Sequence, residues 1–255
     1  SCPNRLRQKL ENDLTVWGTV IWEFPYASTA EIFAQSGFDW VWIDMEHSCT
    51  SLESITAFLR TSQPLGLTTL VRVPDAEYHL IARTLDCGVS GIIVPRVSDR
   101  ATAELIVAAS RYPPMGRRGV GFHSLNCSDN DRPLTERLER LNQDIMVVVQ
   151  IETSEALSQL EEILSVPGID AVLVGPVDLS VSLGTGGQFE HPEILTVLKR
   201  IKELSRKYSF VVGCHYDSFE FALRAAQRGA RMVSVANDAQ LMREGCSYVL
   251  RQLLL

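Results

Sequence analysis

Apolar residues rich in Val and Ile gather along this chain in short runs, at Val16–Trp22, Trp40–Ile43, Thr68–Val73, Gly91–Val94, Met146–Ile151, Ala171–Val174, Phe210–Gly213 and Met232–Val235. Several runs are apolar at nearly every position, as expected of parallel strands covered on both faces rather than of one-sided antiparallel strands. Between them the apolar period lengthens. From about Pro192 to Lys207, Ile194, Val197, Leu198, Ile201 and Leu204 recur at three- and four-residue spacing with charge on the other face, which predicts a helix. A second helix begins near Thr153, aligns Ala156, Leu157, Leu160, Ile163 and Leu164, and ends before Pro167-Gly168. A third opens on Asp217 and Glu220 in capping-box spacing and buries Phe221, Ala222 and Ala225. Strands alternating with helices predict a parallel α/β fold. Their even spacing, with no linker, favours a closed (β/α)8 TIM barrel over a doubly wound sheet.

The length of 255 residues matches the ~250 typical of one such barrel, although it would also hold two small domains. The expectation is a single barrel domain over residues 1–255 with an N-terminal helical extension. One stretch breaks the rhythm: Arg111 to Pro133 carries Pro113-Pro114, Gly116, Gly119, Gly121 and many polar residues, and reads as a long functional loop or a plain surface insertion.

A net charge of −7 disfavours nonspecific contact with nucleic acid or anionic membranes, so an anionic substrate would need a local positive charge. No apolar run reaches the ~18 residues of a membrane span. Cys2, Cys49, Cys87, Cys127, Cys214 and Cys246 are widely spaced without a CxxC pair, and read as reduced thiols of a cytoplasmic protein. The chain opens at Ser1 rather than methionine, which leaves a leader sequence open. Asn126-Cys127-Ser128 matches a glycosylation acceptor only formally.

Barrel chemistry sits at the C-terminal ends of strands, so the polar residues after each apolar run are the candidates. Asp44-Met45-Glu46-His47 follows the second run, Arg72 ends the third, Gln150-Ile151-Glu152 ends the fifth, and Gly175-Pro176-Val177-Asp178 follows the sixth. Glu152 and Asp178, on neighbouring strands, suit Mg2+ or Mn2+ better than zinc; the alternative is that each caps the helix behind it. Arg72 could bind a carboxylate or oxyanion, or form a structural ion pair. His47 is a candidate base whose tautomer Asp44 or Asp86 could fix, or else a polar surface group. Lys9, Lys199, Lys202 and Lys207 are the only lysines, and none follows a strand run, which argues against imine catalysis and for a metal as electron sink. GxGxxG, GxxxxGK[ST] and GxSxG are absent. Gly184, Gly186 and Gly187 fit an anion cradle or a turn.

At GFDWVWIDMEH (Gly37–His47), LVRVP (Leu70–Pro74), IIVPRV (Ile92–Val97), RYPPMGRRGVG (Arg111–Gly121), VQIET (Val149–Thr153) and GPVDLS (Gly175–Ser180) the chain resembles the HpcH/HpaI aldolase family, metal-dependent class II pyruvate aldolases. The resemblance implies a divalent metal on Glu152 and Asp178, Mg2+ first with Mn2+ or Co2+ as alternatives. It further implies enolate stabilisation by Arg72, and His47 oriented by Asp86 as the base for the C4 hydroxyl. Gln150 and backbone N–H groups around Gly175 and Pro176 would line the substrate carboxylate. The implied reaction joins or releases a 2-oxo acid and an aldehyde, in a homo-oligomer, commonly a hexamer, that exchanges a C-terminal helix. Departures at Met45, Glu23-Phe24-Pro25-Tyr26 and Cys214-His215-Tyr216 bear on the substrate: Met45 and Phe24 would narrow the mouth or favour an apolar partner. They keep an alternative in view, oxaloacetate decarboxylation with capture of the enolate. A noncatalytic barrel that binds metal and oxo acid is the alternative from another class.

Overall fold

The computed structural model describes residues 4–121 and 131–254. Eight parallel strands close in chain order: β1 (Val16–Ile21), β2 (Trp40–Asp44), β3 (Thr68–Arg72), β4 (Gly91–Val94), β5 (Met146–Ile151), β6 (Ala171–Val174), β7 (Val211–Tyr216) and β8 (Met232–Asn237), with β8 pairing back to β1. Helix α1 (Arg5–Glu11) precedes β1. The connections are α2 (Ala27–Gln35), α3 (Leu52–Ser62), α4 (Tyr78–Asp86), α5 (Arg100–Ser110) and α6 (Leu134–Asp144), then α7 (Ser154–Ser158), α8 (Leu160–Leu164), α9 (Pro176–Ser182), α10 (Pro192–Tyr208), α11 (Phe219–Gln227) and a final α12 (Asp238–Leu253). The structure is thus the expected (β/α)8 barrel.

The continuous apolar runs serve two cores because successive strand residues point to opposite faces. Val41, Ile43, Val71, Ile92, Val147, Val149 and Val172 pack outward against the helices. Val16, Val20, Trp40, Trp42, Leu70, Met146, Val148 and Leu173 fill the interior, and Leu6 of α1 joins them from below as a floor. Size is matched inside the barrel: a Cβ on Gly18 would meet the Trp40 indole at 2.5 Å, so the glycine makes room for the tryptophan.

Three local expectations change. The helix expected after Thr153 breaks at Gln159 (φ −117°, ψ 18°) into α7 and α8. The capping box at Asp217 does not form: Ser218 occupies the cap position, and Asp217 lies one residue earlier, turned toward His215. The expected seventh strand starts one residue later and runs on to Tyr216. Residues 111–121 lie outside helix and strand, as the loop reading expects, whereas Asn126-Cys127-Ser128 and Cys2 fall outside the described residues. No helix among the described residues is long and apolar enough to cross a membrane.

Candidate active site

The alternation that fills the interior also delivers the chemistry. On β2 the inward series Trp40, Trp42 ends on Asp44; on β3 Leu70 is followed by Arg72; on β5 Met146 and Val148 are followed by Gln150 and then Glu152. All lie at the C-terminal mouth, and all are buried.

Arg72 is fixed on every side. Its Nε and Nη2 donate to the two Asp44 oxygens at 2.9 and 2.6 Å, and Nη1 lies 3.2 Å from Glu46 and 3.5 Å from Gln150 Oε1. The guanidinium stands 4.8 Å from the Trp42 ring centroid. Burial pulls the Arg72 pKa down, but the contact with Asp44, aided by Glu46 and Glu152, outweighs it and leaves it raised. Asp44 is the converse case, with burial pushing its carboxyl up and Arg72 holding it below the usual carboxylate range. The Trp22 indole N–H, at 2.8 Å, and the Glu46 N–H, at 2.9 Å, also donate to Asp44. With its oxygens so engaged, Asp44 positions Arg72 and the turn that carries His47 rather than the imidazole itself.

Glu152 is set differently. One oxygen accepts the Arg96 backbone N–H at 2.8 Å and the other accepts Gln150 Nε2. Arg96 adopts φ +52°, rare for a side-chain-bearing residue, which turns its N–H into the mouth. Burial pushes the Glu152 pKa up to about 7; the Arg96 N–H opposes the rise, and nearby Asp178 adds to it. Asp178 sits exposed in the first turn of α9. Gly175 permits the packing beneath, since a Cβ there would meet Glu152 Oε2 at 2.4 Å and Gln150 Nε2 at 2.8 Å. The capping alternative for Glu152 fails, because Thr153 caps α7 instead. With Glu46, His47, Arg96, Thr153, Val181 and Ser182, the two acids line a cavity of about 240 Å³.

This donor set fits a hard divalent cation. Two carboxylates, one kept near neutrality by burial and by the other's charge, call for positive charge between them, and oxygen ligands select Mg2+ or Mn2+. No group of three or more His, Cys, Asp or Glu among the described residues is arranged to hold a metal, so water and substrate would complete the coordination.

His47 stands at the rim, its side chain 58% exposed and Nε2 3.8 Å from Glu46. Asp86 does not reach it within one chain. It ends α4, a helix that runs from the mouth toward the opposite end of the barrel, and it pairs with Arg118 at 2.7 Å. The substrate-carboxylate donors also change: Gly175 N–H is engaged with Ile151 O at 3.3 Å, and Pro176 has no N–H to give. The N–H groups of Val177 and Asp178, in the first turn of α9, have no acceptor within the helix. Met45 packs against the outer apolar layer instead of narrowing the mouth. Glu46 and Arg96 join the site without having been singled out from the sequence. Glu46 was signalled by its place beside His47, but a backbone donor such as Arg96 leaves no residue-type signal.

A closed parallel barrel whose strand ends present paired carboxylates around a buried guanidinium is the frame of a barrel enzyme. The chain belongs to the HpcH/HpaI aldolase/citrate lyase family, matched over residues 25–245, which places it among carbon–carbon lyases. It is 36% identical over 248 residues to a hydroxypyruvate/pyruvate aldolase of Sagittula stellata, covering 94% of each chain. It is 35% identical to a 4-hydroxy-2-oxo-heptane-1,7-dioate aldolase of Klebsiella pneumoniae, covering 85% of this chain and 82% of the relative. Among solved structures it resembles an HpcH/HpaI aldolase from Desulfitobacterium hafniense, with a TM-score of 0.91 and 28% identity over 97% of this chain and 96% of that one.

Proposed function

We propose that the protein is a metal-dependent class II aldolase that cleaves and forms 4-hydroxy-2-oxo acids, with pyruvate and an aldehyde as the other partners. The observation that carries this reading is the opposition at the mouth of Glu152, its pKa raised to about 7 beside Asp178, and an Arg72 locked in its charged form. Glu152 and Asp178 would hold a divalent ion, Mg2+ ahead of Mn2+ or Co2+, and that ion supplies Lewis-acid polarisation of the 2-oxo group.

The chain's own groups account for the rest. In cleavage the C3–C4 bond breaks, its electron pair passes to the pyruvate enolate, and C4 becomes the aldehyde carbon. Arg72, preorganised by Asp44 and Trp42, stabilises the enolate oxygen as charge develops. His47 takes the C4 hydroxyl proton as the bond breaks. Gln150 and the N–H groups of Val177 and Asp178 receive the substrate carboxylate. Lysine has no place in this chemistry, since Lys9 pairs with Asp39 on the far side and Lys199, Lys202 and Lys207 lie on α10.

Two further features support a homo-oligomer, a hexamer by family resemblance. On α12, Met242, Tyr248, Val249, Leu250 and Leu253 are exposed, as an exchanged C-terminal helix would be in an isolated chain. Asp86, remote from His47 in its own chain, would orient the imidazole of a neighbouring subunit.

Oxaloacetate decarboxylation passes through the same enolate but needs no proton taken from a C4 hydroxyl. His47→Ala is therefore expected to slow aldol cleavage by about 10²–10⁴ while sparing decarboxylation. Equal loss of both rates would remove His47 from this role.

A further inference from the structure

Asp238 stands where β8 hands over to α12, and a carboxylate in the first turn of a helix is ordinarily spent on that helix's own N–H groups. Here most of it is spent elsewhere. Only the Ala239 N–H, at 2.9 Å, comes from α12, whose cap is left to Asn237. The other three donors belong to the segment that follows β1. Trp22 N–H reaches Oδ1 at 3.2 Å, and Glu23 and Phe24 N–H reach Oδ2 at 3.0 and 2.7 Å. Asp238 is 3% exposed, so a buried carboxylate is held by four backbone N–H groups.

The end of β8 is shaped to deliver it. From the pairing of Gly18 with Ser234, a regular register would set Val20 opposite Ala236; one extra residue sets it opposite Asn237 instead. Ala236 adopts φ +54°, rare for a residue with a side chain, and Thr19 Oγ1 donates to its carbonyl at 3.1 Å. A bulge of this kind re-aims the residues that follow it.

The segment so held carries Trp22, whose indole N–H donates to Asp44 Oδ2 at 2.8 Å, and the same oxygen receives Arg72 Nη2 at 2.6 Å. Three links therefore run from the start of α12 to the guanidinium. Asp238 fixes the backbone of residues 22–24, Trp22 fixes Asp44, and Asp44 fixes Arg72. Loss of the first link frees the indole to leave Asp44.

We propose that Asp238 is a positioning residue for Arg72, acting through Trp22 and Asp44, so that the junction of β8 and α12 sets the geometry of the mouth. Its consequence for rate rests on the aldolase reading, whereas the hydrogen-bond relay stands without it.

The test compares the full-length protein with D238N, W22F and D238N/W22F in two measurements. The first is NMR of the indole N–H groups, where the resonance lost in W22F identifies Trp22. In D238N an NH2 group replaces one acceptor oxygen, so the Trp22 resonance should move upfield and exchange with solvent about tenfold faster or more. The second is kcat and KM for exchange of the pyruvate methyl protons under Mg2+. D238N and W22F should each lower kcat by about 10–10²-fold, with KM little changed because Gln150, Glu152 and Asp178 are untouched. The double variant should be no slower than the slower single variant, since both cut one relay. An unmoved Trp22 resonance in D238N would overturn the relay, as would losses that multiply in the double variant. A lowered denaturant midpoint with kcat per folded molecule unchanged would reduce Asp238 to a structural role. Absence of exchange in the unaltered protein would overturn the aldolase reading, and the indole resonance would still decide the relay.

Discussion

The two ends of the barrel both bury charge, and they balance it in opposite ways. At the floor, Asp170 receives Arg7 at 2.8 Å and Arg111 at 2.6 Å, while a third donor, Val147 N–H, completes it at 2.7 Å. Both arginines also reach the carbonyl of Ile145 at 2.8 Å. Here one acid meets two bases. At the mouth, Asp44, Glu46, Glu152 and Asp178 gather around Arg72 and Arg96. The floor network ties the ends of α1, α5 and the loop before β6 together and leaves the acid satisfied. The mouth is left with surplus negative charge around a cavity, a state that stability alone would not select. A buried charge cluster therefore points to function where its surplus faces a cavity, as at the mouth, and to structure where it is held by backbone carbonyls, as at the floor.

This contrast can be broken experimentally. The largest effect belongs to the floor: Asp170→Ala leaves Arg111 buried beside Arg7 without its acid, and a loss of about 3–5 kcal/mol in unfolding free energy is expected. Activity per folded molecule should be unchanged, read by denaturant titration alongside steady-state rates. A comparable loss of activity in the folded fraction would erase the distinction between the two ends.

Next in size is a change in the other direction. Glu152 has its pKa raised from an ordinary value of 4.5 to about 7, so the metal-free fold keeps the group neutral where the unfolded chain would ionise it. Its unfavourable contribution is absent below about 4.5, grows as pH rises through that range, and is complete above about 7. Glu152→Gln should accordingly stabilise the metal-free protein by about 2–3 kcal/mol at pH 8, and hardly at all at pH 4. Thermal unfolding at the two pH values checks this, and a destabilised variant at pH 8 would contradict it. The smallest effect follows from the same proton. A divalent ion must displace it, so metal affinity by calorimetry should weaken by up to tenfold for each pH unit below about 7.

Much of this was legible before the fold was known, for identifiable reasons. Strands buried on both faces write continuous apolar runs, so Met146–Ile151 or Ala171–Val174 could be bounded from the sequence. The strand-end rule then exposed Arg72, Glu152 and Asp178, since Arg72 stands at the end of one run, Glu152 directly follows another and Asp178 lies in the turn after a third. What escaped depends on geometry that residue type does not encode. Arg96 acts through a backbone N–H turned inward by a left-handed φ. Asp86 belongs to a helix end, and its direction could be known only once the barrel closed. The floor pair Arg111–Asp170 joins residues 59 apart in the chain, and nothing local signals it. Met45 faces the outer layer because one step of strand alternation separates such a position from the mouth.

A mouth that stabilises a pyruvate enolate, with a metal on Glu152 and Asp178 and Arg72 against the enolate oxygen, must also loosen the methyl protons of pyruvate. The most direct measurement is exchange of the methyl protons of pyruvate with deuterated solvent, followed by NMR with no aldehyde present. Rapid exchange is expected with Mg2+ or Mn2+, none after chelation, and a fall of about 10²–10³ in Arg72→Ala. Exchange that survives chelation, or that proceeds equally well without Arg72, would contradict the account.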